Sequence, residues 1–137
     1  IQHSALTRRT VVAPCHGWIH VLTFPESKEL AIHHFQRSAD VPVGLAFNMV
    51  QYAAFGMMVG KLIGYEMVEY VHTLSDAHIY ESQYEKVEEL LAREPRRLPT
   101  MTLEADSITK ITDFRPEHFV LGDDYEPHPK MLIPTPV

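Results

Sequence analysis

The chain has 137 residues, 45% of them apolar and 22% charged, and a formal net charge of -6. That fits one soluble domain with a modest core, and the acidic balance argues against a nucleic-acid or anionic-membrane surface while allowing a local arginine cluster to hold a small anion. The single cysteine excludes an internal disulfide and a multi-cysteine zinc site, and it suits a reducing compartment.

In chain order, residues 1–12 are short and mixed, with Arg8 and Arg9 side by side. Ile1 to Ala13 lacks the basic-then-apolar order of a secretion signal, and Val11-Val12-Ala13 predicts the end of a strand. Trp18 to Phe24 is β-rich and predicts a strand, and Pro25-Glu26-Ser27-Lys28 predicts a turn. Glu29 to Arg37 then alternates. Leu30, Ile32, His34 and Gln36 fall on one face, and Ala31, His33, Phe35 and Arg37 on the other. Pairing Phe24 or Thr23 with Glu29 makes antiparallel partners sum to about 52 or 53, which sets Cys15 opposite Arg37 or Ser38. A guanidinium beside a thiol favours the thiolate, so Cys15 reads as a candidate nucleophile; a small buried hydrophobe is the other reading.

Gln36-Arg37-Ser38-Ala39-Asp40 gathers an amide, a guanidinium, a hydroxyl and a carboxylate at the strand end. This is a pocket edge or a solvated Arg-Asp pair. Val41-Pro42-Val43-Gly44 is expected to form a rigid non-helical turn. Ala46 to Ile63 is apolar nearly all round and predicts a buried helix, too short and interrupted to span a bilayer and stopped by Gly64. Gly56 and Gly60 share a face and permit close approach. Asn48 enters this helix as an amide that needs partners, from a ligand edge or from a helix cap.

Met67 to Thr73 predicts another strand, and His78 and Tyr80 point the same way if the chain stays extended. Ser82 to Arg93 predicts a surface helix with Tyr84, Val87, Leu90 and Leu91 inward. Met101–Leu103 and Ile108–Ile111 predict short strands, Phe114–Phe119 a helical turn, and the segment from Tyr125 to Val137 an ordered docking coil. The strands from Trp18 to Arg37 carry apolar or aromatic residues on both faces, and one helix covers only one of them. A second sheet is expected on the other face, hence a homodimer.

Pro14-Cys15-His16, Gln36-Arg37-Ser38-Ala39-Asp40 with Gly44 and Phe47-Asn48, and Asp76-Ala77-His78-Ile79-Tyr80 together resemble thymidylate synthase. Arg93-Glu94-Pro95-Arg96, Tyr125-Glu126-Pro127-His128-Pro129 and the ending Pro136-Val137 extend the resemblance, which covers Ala13 to Val137. It implies an α+β fold, a mixed β-sheet packed on a long buried helix, in a single domain over residues 1–137 that is incomplete on its N-terminal side. It further implies a cytoplasmic homodimeric methyltransferase converting dUMP to dTMP, with 5,10-methylenetetrahydrofolate as cosubstrate, no metal, and no nucleic-acid or membrane partner.

The resemblance also implies roles. Cys15 is similar to the nucleophile that adds to C6 of the pyrimidine, and His16 to its neighbour in the polar network around the base. Arg37 and Ser38 are similar to phosphate ligands, Gln36 to a supporting group near the thiol, and Arg8 and Arg9 to an upstream arginine pair at the phosphate site. Asn48 is similar to the amide that reads N3 and O4 of uracil, and His78 and Tyr80 to the pair on the ribose 3′-hydroxyl. Asp40, Gly44 and Val137 are implied on the folate side, Asp40 against the pterin ring.

Three departures accompany the match. The family's upstream glutamate, phosphate-loop arginine and folate-side tryptophans have no counterpart here, only five residues separate Arg9 from Cys15, and His20 stands where the family usually has glutamine. Two alternatives therefore stay open: a pyrimidine hydroxymethylase, which adds water instead of hydride, and a nucleotide- or partner-binding module without turnover. A metal site from His33, His34 and His72 is disfavoured, because adjacent strand residues point to opposite faces.

Overall fold

The computed structural model describes residues 14–136. Arg8, Arg9, the expected strand end at 11–13 and Val137 lie outside the described residues.

Strands β1 (Trp18–Phe24) and β2 (Glu29–Asp40) form the expected hairpin. Their partners sum to 53, from Trp18 opposite Phe35 to Phe24 opposite Glu29. Helix α1 (Ala46–Ile63) crosses over to β3 (Glu66–His78), which lies parallel to β2. The result is a mixed three-stranded sheet in the order β1-β2-β3 with a long helix on one face. Helix α2 (Tyr84–Leu91) and a two-stranded ribbon, β4 (Met101–Leu103) with β5 (Phe119–Leu121), complete the α+β architecture.

Helix and strand mesh through a simple match of lengths. Four helical residues advance about 6.0 Å, and two strand residues about 6.6 Å. Gly60 therefore meets Leu30, Gly56 meets Ile32, the Tyr52 ring stacks on His34, and Asn48 bonds to Gln36. Leu30, Ile32, His34 and Gln36, one face of the alternation, are all buried. Gly56 and Gly60 permit the approach: a Cβ on Gly56 would strike Met67 and Ile32, and one on Gly60 would lie 2.6 Å from the Tyr65 carbonyl. Gly64 ends the helix in the left-handed region, at φ 71°.

Several expectations are corrected. Val41–Leu45 is a wide helical turn leading directly into α1, because Pro42 falls in the first turn, where a missing N–H breaks no bond. The helical stretch Val41–Ile63 is 23 residues long and apolar enough to cross a membrane by length and composition, which the expected interruption did not allow. In this chain it packs on the sheet along the stripe Tyr52, Gly56, Gly60, and only that stripe is buried. Phe47, Val50 and Ile63 are exposed, since the narrow sheet walls one side of the helix. Helix α2 does not bury Tyr84, Leu90 and Leu91, which are exposed; the preceding turn is anchored instead through the buried amide of Gln83. Ile108–Ile111 forms no strand, and the partner of β4 is Phe119–Leu121. The turn expected near Phe114–Phe119 is present at Pro116–His118.

The C-terminal coil is docked through main-chain carbonyls. Arg93 donates to Pro129, Arg96 to Glu126 and Pro127, and Gln83 to Pro134, while a ring nitrogen of His128 contacts the Glu94 carbonyl.

Candidate active site

Just before β1 the ladder slips. The Arg37 N–H donates to the Cys15 carbonyl at 2.7 Å, so this pair sums to 52 where β1 and β2 sum to 53. The slip is absorbed at His16-Gly17, where Gly17 has φ 105°, a value that favours glycine. Cys15 is half-buried, across the ladder from Arg37. Cys15, His16, Gln36 and Arg37 line one cavity of about 370 Å³, with Trp18, Phe35, Thr73 and Ser75 along its other walls.

Tyr52 reaches this corner from α1. Its hydroxyl lies 2.6 Å from His16 Nδ1, and its ring stacks on His34 at 3.7 Å. Burial, with the negative charge that Cys15 can carry, holds the Tyr52 hydroxyl above its ordinary pKa of 10.0, so it stays a neutral donor. A run of polar groups continues below, with His34 and Gln36 buried and Tyr70, His72 and Asn48 half-buried. His34 contacts Tyr70, Tyr70 contacts His72, His72 contacts Gln36, and Gln36 contacts Asn48. Burial first, then the neighbouring His72 and His16, pushes the His34 pKa down to about 4. Burial also lowers that of His72.

The remaining predicted residues sit around the end of β2. Ser38 Oγ donates to Asp76 Oδ2 at 3.5 Å, and the same carboxylate oxygen lies 3.4 Å from His78 Nδ1. The His78 and Tyr80 rings meet edge to face at 5.0 Å, so the two do point together. Asp40 accepts two bonds from Gln83, and Gly44 faces the Asp40 Cβ and Asn48 Oδ1. The structure thus joins Cys15, His16, Gln36 and Arg37 in one cavity, links Asn48 to them through Gln36, and leaves Ser38, His78 and Tyr80 outside that cavity's lining. His33 turns to the opposite face and contacts Thr73, apart from His34 and His72.

Sequence reasoning missed Tyr52 and Gln83 and read His34 and His72 only as weak metal ligands. Tyr52 carried a usable signal, since it lies one turn after Asn48 on the stripe of Gly56 and Gly60. Gln83 carried none.

The sole thiol shares one cavity with an arginine, a histidine and an ordered amide, at the edge of a mixed sheet backed by one long helix, an α+β arrangement in which a thiol can meet a polar ligand. Residues 2–137 match the thymidylate synthase family, and the chain belongs to that family. The family consists of methyltransferases that generally act on dUMP with methylenetetrahydrofolate and are generally soluble cytoplasmic enzymes.

Proposed function

We propose that this chain performs reductive methylation of dUMP to dTMP, with Cys15 adding to C6 of the pyrimidine, and that residues 1–137 belong to one such catalytic domain. The observation that carries the reading is the 2.7 Å main-chain bond between Arg37 and Cys15 inside the cavity shared with His16 and Gln36. Addition of the thiolate to C6 moves the C5–C6 electron pair toward O4, and donors must receive the charge that develops there. Asn48 is the donor: its Oδ1 is already bonded to Gln36, which leaves its N–H groups for O4. Arg37 and Ser38 take the 5′-phosphate, with Arg8 and Arg9 adding charge. The guanidinium fork suits phosphate oxygens. His78 and Tyr80 hold the sugar hydroxyl. His16 and Tyr52, hydrogen-bonded beside the thiol, order the donors around the base.

The cosubstrate fits Asp40. Each Asp40 oxygen accepts a bond from Gln83 and keeps capacity for another, as the N–H edge of a reduced pterin requires. Gly44, which faces the Asp40 Cβ, belongs to that side. When bound, methylenetetrahydrofolate supplies both the one-carbon unit and the hydride. The amide order at Asn48 favours methylation of a uracil base over hydroxymethylation of a cytosine base. The open aromatic face of the sheet, where Trp18, His20, His33 and Phe35 lie against one another, is the surface for a second copy.

Incubation of the protein with 5-tritiated dUMP and methylenetetrahydrofolate should release tritium, and Cys15→Ser should abolish the release. Retention of activity in Cys15→Ser, or lack of any dUMP binding by calorimetry, refutes the reading.

A further inference from the structure

A hydrogen-bond relay runs beneath the cavity between two main-chain groups, and its direction is fixed at both ends. At one end the Gly17 N–H donates to His34 Nε2 at 3.1 Å. That nitrogen is bare, so a neutral His34 carries its proton on Nδ1. At the other end Gln36 Nε2 donates to the Ser38 carbonyl at 2.9 Å and to Asn48 Oδ1 at 3.0 Å. A carbonyl can only accept, so the Gln36 amide has one orientation, and its Oε1 faces His72 Nε2 at 3.0 Å.

The links between follow. Oε1 must accept, so His72 carries its proton on Nε2 and leaves Nδ1 bare. The Tyr70 hydroxyl, 3.2 Å from His72 Nδ1, donates there and accepts from His34 Nδ1 at 3.3 Å. The two histidines are thereby neutral and in opposite tautomers, and burial, which lowers both pKa values, keeps them so. None of the buried side-chain polar atoms among the described residues is left without a partner.

We propose that His72 is a positioning residue that acts through Gln36 to set the amide orientation of Asn48, and so selects a pyrimidine presenting a ring N–H beside a carbonyl. This rests on the proposed function, and it adds the part of the chain that fixes base choice. With Oδ1 turned to Gln36, Asn48 offers a second lone pair and an N–H pair to the ligand, which match N3–H and O4 of uracil. Cytosine presents a bare N3 and an amino group, so Asn48 would have to turn over and set its N–H groups against those of Gln36. Gln36 cannot follow, because turning it brings its N–H groups against His72 Nε2–H and its oxygen against the Ser38 carbonyl.

Two variants separate this role from simple packing. Glutamine can place an N–H donor where His72 Nε2 lies, whereas asparagine reaches only to the place of Nδ1. Calorimetric titration with dUMP and dCMP should give a preference for dUMP that falls roughly tenfold in His72→Asn, about the worth of one hydrogen bond. In His72→Gln it should stay within about threefold of the parent. Equal weakening of both nucleotides in His72→Asn, with the preference unchanged, overturns the proposal. The relay is also read without any nucleotide, by long-range proton–nitrogen correlation spectra of the imidazoles. These should show a protonated Nδ1 on His34 and a protonated Nε2 on His72, and the opposite tautomer on His72 overturns the proposal. A parent protein that binds neither nucleotide but shows the expected tautomers refutes the proposed function and leaves the relay standing as a fixed amide orientation, whereas both failures together remove both.

Discussion

The buried Gln83 side chain donates to both carboxylate oxygens of Asp40, at 3.1 and 3.2 Å. Its second N–H goes to the Pro134 carbonyl at 2.9 Å, and its oxygen accepts the Tyr80 N–H at 3.0 Å. One amide therefore joins the proposed folate carboxylate, the sugar-side tyrosine and the C-terminal coil. Gln83→Ala strips all three. Urea denaturation should show a loss of about 2–3 kcal/mol, the scale of a hydrogen bond to a charged group with its partners left buried. The KM for the folate should rise more than that for dUMP.

The glycines of α1 separate steric from conformational demands. At Gly60 an added Cβ meets the Tyr65 carbonyl, which is main chain and cannot swing aside. Gly60→Ala should destabilise by about 1–3 kcal/mol despite the better helix propensity of alanine. At Gly64 nothing lies within 4 Å, and the cost is only the left-handed backbone, about 1 kcal/mol. Thermal unfolding of the two variants should rank them in that order.

Stability should fall with acid through His34. Its folded pKa, about 4, lies below the ordinary 6.5, so the unfolded chain binds the proton more readily. The stabilisation of neutral His34 is complete above about pH 6.5, is lost as pH falls toward 4, and changes no further below that. The rings of His16, His72 and Tyr52 and the Tyr70 hydroxyl face this group. The drop attributable to His34 is on the order of 2–3 kcal/mol. Urea midpoints across pH 7 to 4 should show it, and His34→Phe should flatten that part of the profile even though its starting stability is lower.

Cys15 is the sole thiol, so alkylation reports on one place. Bound dUMP should protect it from iodoacetamide. Arg37→Ala should weaken that protection by about tenfold or more in dUMP concentration, the loss of a charge-assisted phosphate contact. Protection unchanged in Arg37→Ala would remove Arg37 from the phosphate site.

The aromatic face of the sheet should hold two copies together. Trp18 is 70% exposed in the single chain, and its ring lies against those of His20 and Phe35. Sedimentation velocity should give a dimer for the parent protein and a monomer for Trp18→Lys at micromolar concentration. A monomeric parent would rule out this interface.

Much of the fold was legible because it is local. The turn at Pro25–Lys28 sets the hairpin register, and that register carried Cys15 to Arg37 across 22 positions of sequence. The alternation in β2 separated its two faces, and the spacing of Gly56 and Gly60 gave the helix stripe that meets one of them. The residue types around the thiol identified the family. The orientation of α2, the partner of β4 and the anchor at Gln83 were not legible, because each depends on a contact with a distant segment that no local pattern encodes. The relay depends on one such detail. Partners in β2 and β3 lie 37 positions apart at Leu30 and Met67, but 38 apart from Ala31 onward, through a bulge. Without it His34 would lie beside Val71, and His72 would face the other side of the sheet, since a shift of one residue reverses every side chain in a strand. The sequence supplied both histidines, and the bulge between two strands joined by the long helix decided that they face one another.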